Sequence, residues 1–361
     1  MLPYFLLLGI PIVYSLFTTR SILPDINQTS KKRERTVLII FFVIWFLLLA
    51  LRKKTVGTDI KIYLSTFKQI ADTPWANLFD DTAREYGYRL LCKVISVFTT
   101  DEQVFLTIMA FITLAPLLYL YVKESENGLM TIAIFITFLF SMYFSGLRQC
   151  IAMGFMAPLY YFTKKKKPIK FIIFALLASL FHQSALVALL FYPIYHLKLT
   201  PFKLAIAILI IALSFLFSNQ IFSFILKIIG GTYEERYSEI GATGAYSMVA
   251  LLIIFAVYAF VVPQKNKLSS DVLGLRNILL VSVCLQGFAL VNSVAMRMNY
   301  YYLLFLPILI SKIPLIGKKE DKTILEISVI VIVVVFIGYF FLNAYTGADI
   351  LQIYPYIPFW D

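Results

Sequence analysis

Cationic and titratable side chains interrupt or end four hydrophobic stretches of this chain. They are Arg148, His182, Arg297 and the pair Asp59 and Glu85. Polar and ionisable groups near hydrocarbon are costly, and they usually mark a functional site that faces a cavity. The distribution of basic loops allows all four positions to lie at one membrane face. This shared face is the first indication of a functional site.

The two arginines are candidate ligands for an anion. Arg148 lies between apolar segments with Gln149 beside it, and Arg297 lies at another outer span end. A guanidinium is always charged and forks onto phosphate or carboxylate oxygens. Two arginines at one face would neutralise a diphosphate without a divalent metal. The alternative is an arginine that extends to the lipid headgroups or pairs with an acid.

His182, Glu85 and Asp59 are candidates for acid–base chemistry. His182, with Ser184 two residues later, is suited to act as a general base or to donate to a sugar hydroxyl or phosphate. Glu85 with the nearby Tyr88 is typical of a carbohydrate-contacting surface, and Asp59 follows a glycine turn. The alternatives are a packing histidine that closes a turn and carboxylates on a solvated face.

Composition predicts an all-α, polytopic membrane protein. Of the 361 residues, 60% are hydrophobic and 14% are charged, and the mean hydropathy is +0.84. The net charge of +12 comes from basic residues in short loops, which the positive-inside rule explains without a nucleic-acid partner. Three scattered cysteines and two histidines show no metal-type spacing, so neither a metal nor another cofactor is predicted.

Hydropathy and charge predict about twelve membrane segments with both termini outside, and the first is a retained span rather than a signal peptide. The segments are 2–17, 37–51, 103–122, 129–144, 149–163, 168–181, 184–197, 204–226, 247–262, 277–292, 298–310 and 324–342. Several are shorter than the roughly 20 residues of a perpendicular span. Two apolar runs, 128–164 and 167–198, have basic ends and are interpreted as tight hairpins with outer tips; kinked single spans are the alternative.

Two loops are predicted on the outer side of a single membrane domain, 1–361. The first, 52–102, contains an amphipathic helix over Tyr86–Phe98 that lies on the surface. The second, 227–246, is rich in glycine and charge and is expected to be a mobile loop.

Several short motifs resemble those of a known family when they are taken in chain order. They are Val56-Gly57-Thr58-Asp59 with Tyr63, Glu85-Tyr86-Gly87-Tyr88, Ser145-Gly146-Leu147-Arg148-Gln149-Cys150-Ile151-Ala152, Phe181-His182-Gln183-Ser184-Ala185, Arg297 with Tyr300, and Tyr354-Pro355-Tyr356. The chain thereby resembles the EpsG family of bacterial exopolysaccharide-synthesis membrane proteins, which is similar to Wzy-type polymerases.

The resemblance implies a metal-independent glycosyltransferase of GT-C-like architecture in the bacterial cytoplasmic membrane, with its active site on the outer, periplasmic side. It would join oligosaccharide repeat units carried on undecaprenyl diphosphate to make exopolysaccharide, capsule or O-antigen. Membrane lipids, a flippase and a chain-length regulator would be its partners. Arg148 and Arg297 would bind the diphosphate. The base would be His182, Glu85 or Asp59. The sugar would be oriented by Gln149, Ser184, Tyr88 and Tyr300.

Other functions fit parts of the pattern. A flippase for the same lipid-linked sugar needs similar arginines, but nearer mid-membrane and with a duplication between halves, which is not evident here. An O-antigen-ligase-like enzyme would use the same donor with a different acceptor. A sugar O-acyltransferase would need a cytoplasmic acyl donor to reach His182 on the outer side. A purely structural partner would leave the arginines without a purpose.

Overall fold

The computed structural model describes residues 1–18, 28–80, 85–229, 246–292, 296–318, 321–346 and 351–361. Within these ranges the protein is helical, and its one strand-like pairing is an isolated antiparallel bridge between Arg52 and Pro358. The all-α prediction is therefore confirmed for the described part of the chain. Contacts divide the protein into a first unit, Met1–Leu186 with Asp321–Asp361, and a second unit, Val187–Glu320.

Long apolar helices form the body of the first unit, and shorter helices carry its polar breaks. Its helices are α1 (Leu2–Thr18), α2 (Gln28–Ala50), α3 (Ile60–Asp72), α4 (Tyr86–Phe98), α5 (Glu102–Glu124), α6 (Gly128–Phe138), α7 (Met142–Ser145), α8 (Leu147–Gly154), α9 (Met156–Lys164), α10 (Pro168–Ser179) and, after the second unit, α18 (Lys322–Thr346). Helix α2 packs against α1, α5 and α6, while α18 packs against α6. Aromatic rings fill these contacts; the centroids of Trp45 and Phe135, for example, lie 5.0 Å apart.

The second unit packs around one buried helix, α15. Its helices are α11 (Phe191–Tyr195), α12 (Pro201–Leu216), α13 (Ser218–Ile229), α14 (Tyr246–Val261), α15 (Ser270–Ala289), α16 (Met296–Leu303) and α17 (Leu306–Lys312). Polar side chains of α15 donate to carbonyls in the last turns of its neighbours: Arg276 Nε donates to Ala259 O at 2.8 Å, and Asn277 Nδ2 donates to Ile194 O at 3.0 Å. Carbonyls in a last helical turn lack partners within their own helix, so these contacts fix the packing of α14 and α11.

Three polar side chains, called the polar trio, lie in the core of the second unit. Ser282 Oγ donates to Asn299 Oδ1 at 2.7 Å, and Asn299 Nδ2 donates to Gln286 Oε1 at 2.8 Å. Ser282 is 1% exposed, and Asn299 and Gln286 are 0% exposed. Because buried polar groups need partners, the trio fixes the position of α16 against α15.

Helices α3 and α4 form an amphipathic pair in the predicted outer loop. Their buried faces pack together, with the Phe67 ring of α3 also stacked 4.1 Å from Phe105 of α5. Lys93 of α4 caps α3, because its Nζ donates to Ala71 O at 2.9 Å. Leu90 and Phe98 remain exposed on the other side of α4. Residues Tyr86–Phe98 thus form a helix with one buried and one exposed face, while its place on the membrane surface stays a prediction.

The two predicted interruptions of apolar helices are present. One lies at Gly146, between α7 and α8, and the other lies after α10, where a 3-10 helix begins at Gln183. The hairpin interpretation of these two runs stays a prediction.

Four helices are long and apolar enough to cross a membrane in the part of the chain that the structure describes. They are Glu102–Glu124, Ser270–Ala289, Met296–Ile316 (α16, α17 and the following turn) and Lys322–Thr346. The pair α12 and α13, bent by 81°, would be a fifth. Each of the twelve predicted apolar segments falls on helical structure, but their number as crossings, the GT-C-like architecture and the single-domain organisation stay predictions. Most of the predicted loop 227–246 lies outside the described residues.

Candidate active site

Glu85 lies between Arg148 and His182, and its two carboxylate oxygens are divided between them. Oε2 lies 2.5 Å from Arg148 Nη1, and Oε1 lies 2.7 Å from His182 Nδ1. The side chains of Glu85 and His182 are 14% and 16% exposed, whereas that of Arg148 is 43% exposed. These three residues, called the Glu85 triad, therefore form one charged cluster with its cation nearest to solvent.

The first turn of α4 sets the position of Glu85. Gly87 N donates to Leu180 O at 2.9 Å, which joins the start of α4 to the chain just after α10. A Cβ atom at Gly87 would lie 3.0 Å from the Leu180 side chain, tighter than an ordinary contact. Glycine is therefore suited to this close approach, which places Glu85 beside the turn that carries His182.

His182 ends the turn that follows α10. Its backbone N donates to Ala178 O at 3.2 Å, and its carbonyl accepts from Ala185 N at 3.0 Å. Because a carboxylate accepts hydrogen bonds, the contact with Glu85 assigns the donor proton to Nδ1. In the neutral ring this leaves Nε2 as an acceptor, which is the form that a general base requires.

Arg148 stands in the first turn of α8 on a platform of two tyrosine rings. Its guanidinium carbon lies 5.5 Å from the Tyr63 centroid and 5.9 Å from the Tyr88 centroid, within the range of cation–π attraction. The pKa of both phenols is raised, because burial outweighs the opposite effect of the adjacent guanidinium. Both hydroxyls therefore stay protonated. The Glu85 contact joins one Nη atom to one oxygen rather than two parallel pairs, so this carboxylate does not hold the whole guanidinium.

The other sequence-predicted residues of the first unit lie around the triad. Asp59 precedes α3, one helical turn before Tyr63, and its side chain does not cap that helix. Gln149 follows Arg148 on α8 and is 2% exposed, while Ser184 is half-buried in the 3-10 helix after His182. Tyr88 packs beneath the guanidinium, and its predicted contact with sugar stays a prediction.

Arg297 and Tyr300 belong to the second unit. Both lie on α16 and are half-buried, and α16 is held by Asn299 of the polar trio. Their action on the same substrate as the Glu85 triad stays a prediction.

Two residues of this region were missed by reasoning from sequence. Tyr63 was quoted only as part of a family motif, with no role in the site, and it lies on the buried face of α3. Arg52 was given no role either; it opens the predicted outer loop 52–102, and it is 2% exposed. No local signal distinguishes Arg52 from the lysines that follow it.

No group of three or more His, Cys, Asp or Glu residues that could hold a metal ion is present among the described residues. The prediction that the protein needs no metal is not tested by this observation.

The model of the EpsG family matches residues 35–357, which is most of the chain and includes every member of the Glu85 triad. Searches of curated proteins and of solved structures found no significant match. The chain therefore belongs to the EpsG family, and this membership together with the apolar helices indicates a membrane protein of exopolysaccharide polymerase type.

Proposed function

We propose that this protein polymerises oligosaccharide repeat units carried on undecaprenyl diphosphate, at the outer face of the bacterial cytoplasmic membrane. The observation that carries the proposal is the Glu85 carboxylate shared between Arg148 and His182. This arrangement combines a cation for a leaving diphosphate with a histidine prepared to accept a proton. Membership of the EpsG family supports a polymerase reaction.

In the proposed reaction, a hydroxyl of one lipid-linked unit attacks the anomeric carbon of the growing chain. The bond from that carbon to the diphosphate oxygen breaks, a glycosidic bond forms, and undecaprenyl diphosphate leaves. His182 Nε2 takes the proton of the attacking hydroxyl, and Glu85 holds the ring and stabilises the imidazolium. The contact of Glu85 with Nδ1 favours this assignment over Glu85 or Asp59 as the base.

Arg148 binds the diphosphate in this proposal. Its side chain is the most exposed of the triad, and it keeps donors that are not used by Glu85. A lipid diphosphate is already a good leaving group, so neutralising its developing charge and orienting the acceptor are the main demands on the protein. Arg297 is the second cation of the proposal, with Gln149, Ser184, Tyr88 and Tyr300 orienting the sugars.

The test is complementation of a gene deletion in the host with Glu85→Gln. The expected result is surface glycan limited to one repeat unit, accumulation of single lipid-linked units, and normal protein in the membrane. Glu102→Gln is the matched control, because Glu102 forms exposed ion pairs with Lys54 and Lys68 in the same outer loop. Normal polymer in the Glu85 variant would remove the triad from the reaction.

The deletion strain also separates the competing functions. Complete units trapped on the inner leaflet would identify a flippase. Polymer of normal length that fails to reach its final acceptor would identify a ligase.

A further inference from the structure

Arg52 is a buried cation that the proposed reaction does not use. Its Nη1 donates to Phe144 O at 2.6 Å, and its guanidinium lies 5.6 Å from the Phe144 ring. Burial lowers its pKa to about 10, so it stays charged at neutral pH. Burying a cation is costly unless it holds a defined partner. Here that partner is the last turn of α7, directly before the break at Gly146.

A second contact reaches the same break from the turn after Arg52. Gly57 adopts a φ of +100°, and a Cβ atom there would overlap the Phe144 carbonyl oxygen. Thr58 donates to Ser145 Oγ from both its backbone N and its hydroxyl, each at 3.1 Å. Residues 52–58 thus hold the backbone and side chain of α7's final turn, three residues before Arg148.

The C-terminal segment, residues 351–361, also bonds to residues 51–58. Four backbone hydrogen bonds join them: Phe359 N to Leu51 O (2.8 Å), Lys53 N to Ile357 O (2.8 Å), Gly57 N to Gln352 O (2.9 Å) and Thr58 N to Leu351 O (3.2 Å). The segment is itself anchored to the first helix, because Tyr4 OH donates to Ile353 O at 2.5 Å. Residues 52–58 are therefore held between α7 and the C-terminal segment.

We infer that Arg52, Thr58 and Ser145 are positioning residues for Arg148, and that the C-terminal segment holds them in place. None of the three is a member of the Glu85 triad. They fix the direction in which α8 leaves Gly146, and so the place where the Arg148 guanidinium meets the diphosphate. The inference rests on the proposed function, because it concerns how tightly the lipid diphosphate is held.

Ser145→Ala tests the inference with a small change. It removes the link between Thr58 and α7 and leaves no large cavity. With purified full-length protein in lipid nanodiscs and a lipid-linked repeat unit as substrate, kcat/KM is expected to fall by about ten- to a hundredfold, largely through KM. The amount of folded protein is expected to stay close to that of the wild type, with a modest fall in thermal stability because Thr58 loses a hydrogen-bond partner. Ser141→Ala is the matched control, since Ser141 starts the same short helix without a side-chain cap bond.

Arg52→Lys provides a second variant that keeps the charge. Lysine can donate to Phe144 O but lacks the planar fork, so a partial loss of the same kind is expected. A fall in rate that follows only the amount of folded protein, with KM unchanged in both variants, would show a purely structural role and overturn the inference.

The two proposals fail in different ways. If Glu85→Gln and Arg148→Ala still polymerise, the proposed function fails. If those variants are inactive while Ser145→Ala and Arg52→Lys match Ser141→Ala, only the positioning inference fails.

Discussion

The Glu85 triad of the first unit and the polar trio of the second unit are both polar clusters in a largely apolar protein, but they differ in charge and exposure. The trio is neutral, at most 1% exposed, and hydrogen-bonded within itself. The triad is charged, and its arginine is 43% exposed. Neutral buried amides fix the packing of helices, whereas a charged cluster that reaches solvent can exchange one partner for a substrate. Substitutions in the triad should therefore lower activity, whereas substitutions in the trio should lower stability.

The largest effect is expected for Arg148→Ala. Polymer should become undetectable, corresponding to a loss of about a thousandfold or more, as for an arginine that neutralises leaving phosphates. Gel analysis of surface glycan together with the membrane level of the protein measures this effect. Polymer of normal length in this variant would mean that the triad, like the trio, serves only the packing of helices.

His182→Gln should have the next largest effect. Glutamine can still contact Glu85, but it cannot accept a proton at the reacting hydroxyl, so kcat should fall by about a hundredfold. His196→Gln is the matched control, because His196 belongs to the second unit, where it packs against Tyr192 and Tyr195. Equal rates for the two histidine variants would exclude His182 as the base.

Tyr63→Leu sharpens the comparison by changing only the platform of the triad. Loss of the ring beneath Arg148 should weaken binding of undecaprenyl diphosphate by roughly two- to thirtyfold, the equivalent of about 0.5–2 kcal/mol. Tyr63→Phe keeps the ring and should lie between the wild type and the leucine variant. Binding to protein in nanodiscs measures this series, and an unchanged affinity in Tyr63→Leu would show that the platform does not tune Arg148.

Asn299→Ala should change the rate least and the stability most. Ser282 and Gln286 would lose their partner, at a cost of about 1–3 kcal/mol in stability. Thermal unfolding of the purified protein should shift downward, while the rate changes less than in the variants of the triad. The control is Asn219→Ala, an exposed asparagine of the second unit. A large change in KM without a change in stability would assign the trio to the substrate site.

Features with a local signal were predictable from sequence. Tyr86–Phe98 has one apolar face at helical spacing, and the helix has these same bounds. The interruptions at Gly146 and at His182 follow from polar residues inside apolar runs. Such patterns report what a short segment must bury, and they do not depend on which partner buries it.

The geometry of the site had no such signal. Glu85 and His182 are 97 positions apart, and their contact depends on the backbone bond between Gly87 and Leu180. The sequence therefore left Glu85, His182 and Asp59 as equal candidates for the base. The burial of Arg52 was missed for the same reason, because it depends on Phe144 and on the C-terminal segment.

The contacts of the C-terminal segment have a consequence for the order of assembly. Tyr4 bonds to Ile353 across 349 positions, and residues 51–58 pair with residues that are synthesised after the second unit. The second unit lies between these partners in the chain, so it leaves the ribosome before the first unit is complete. Contacts between such distant positions form late, after a large loss of chain entropy. In nascent chains that stop before Leu351, α1 and the turn at Gly57 should therefore lack their hydrogen bonds to the C-terminal segment.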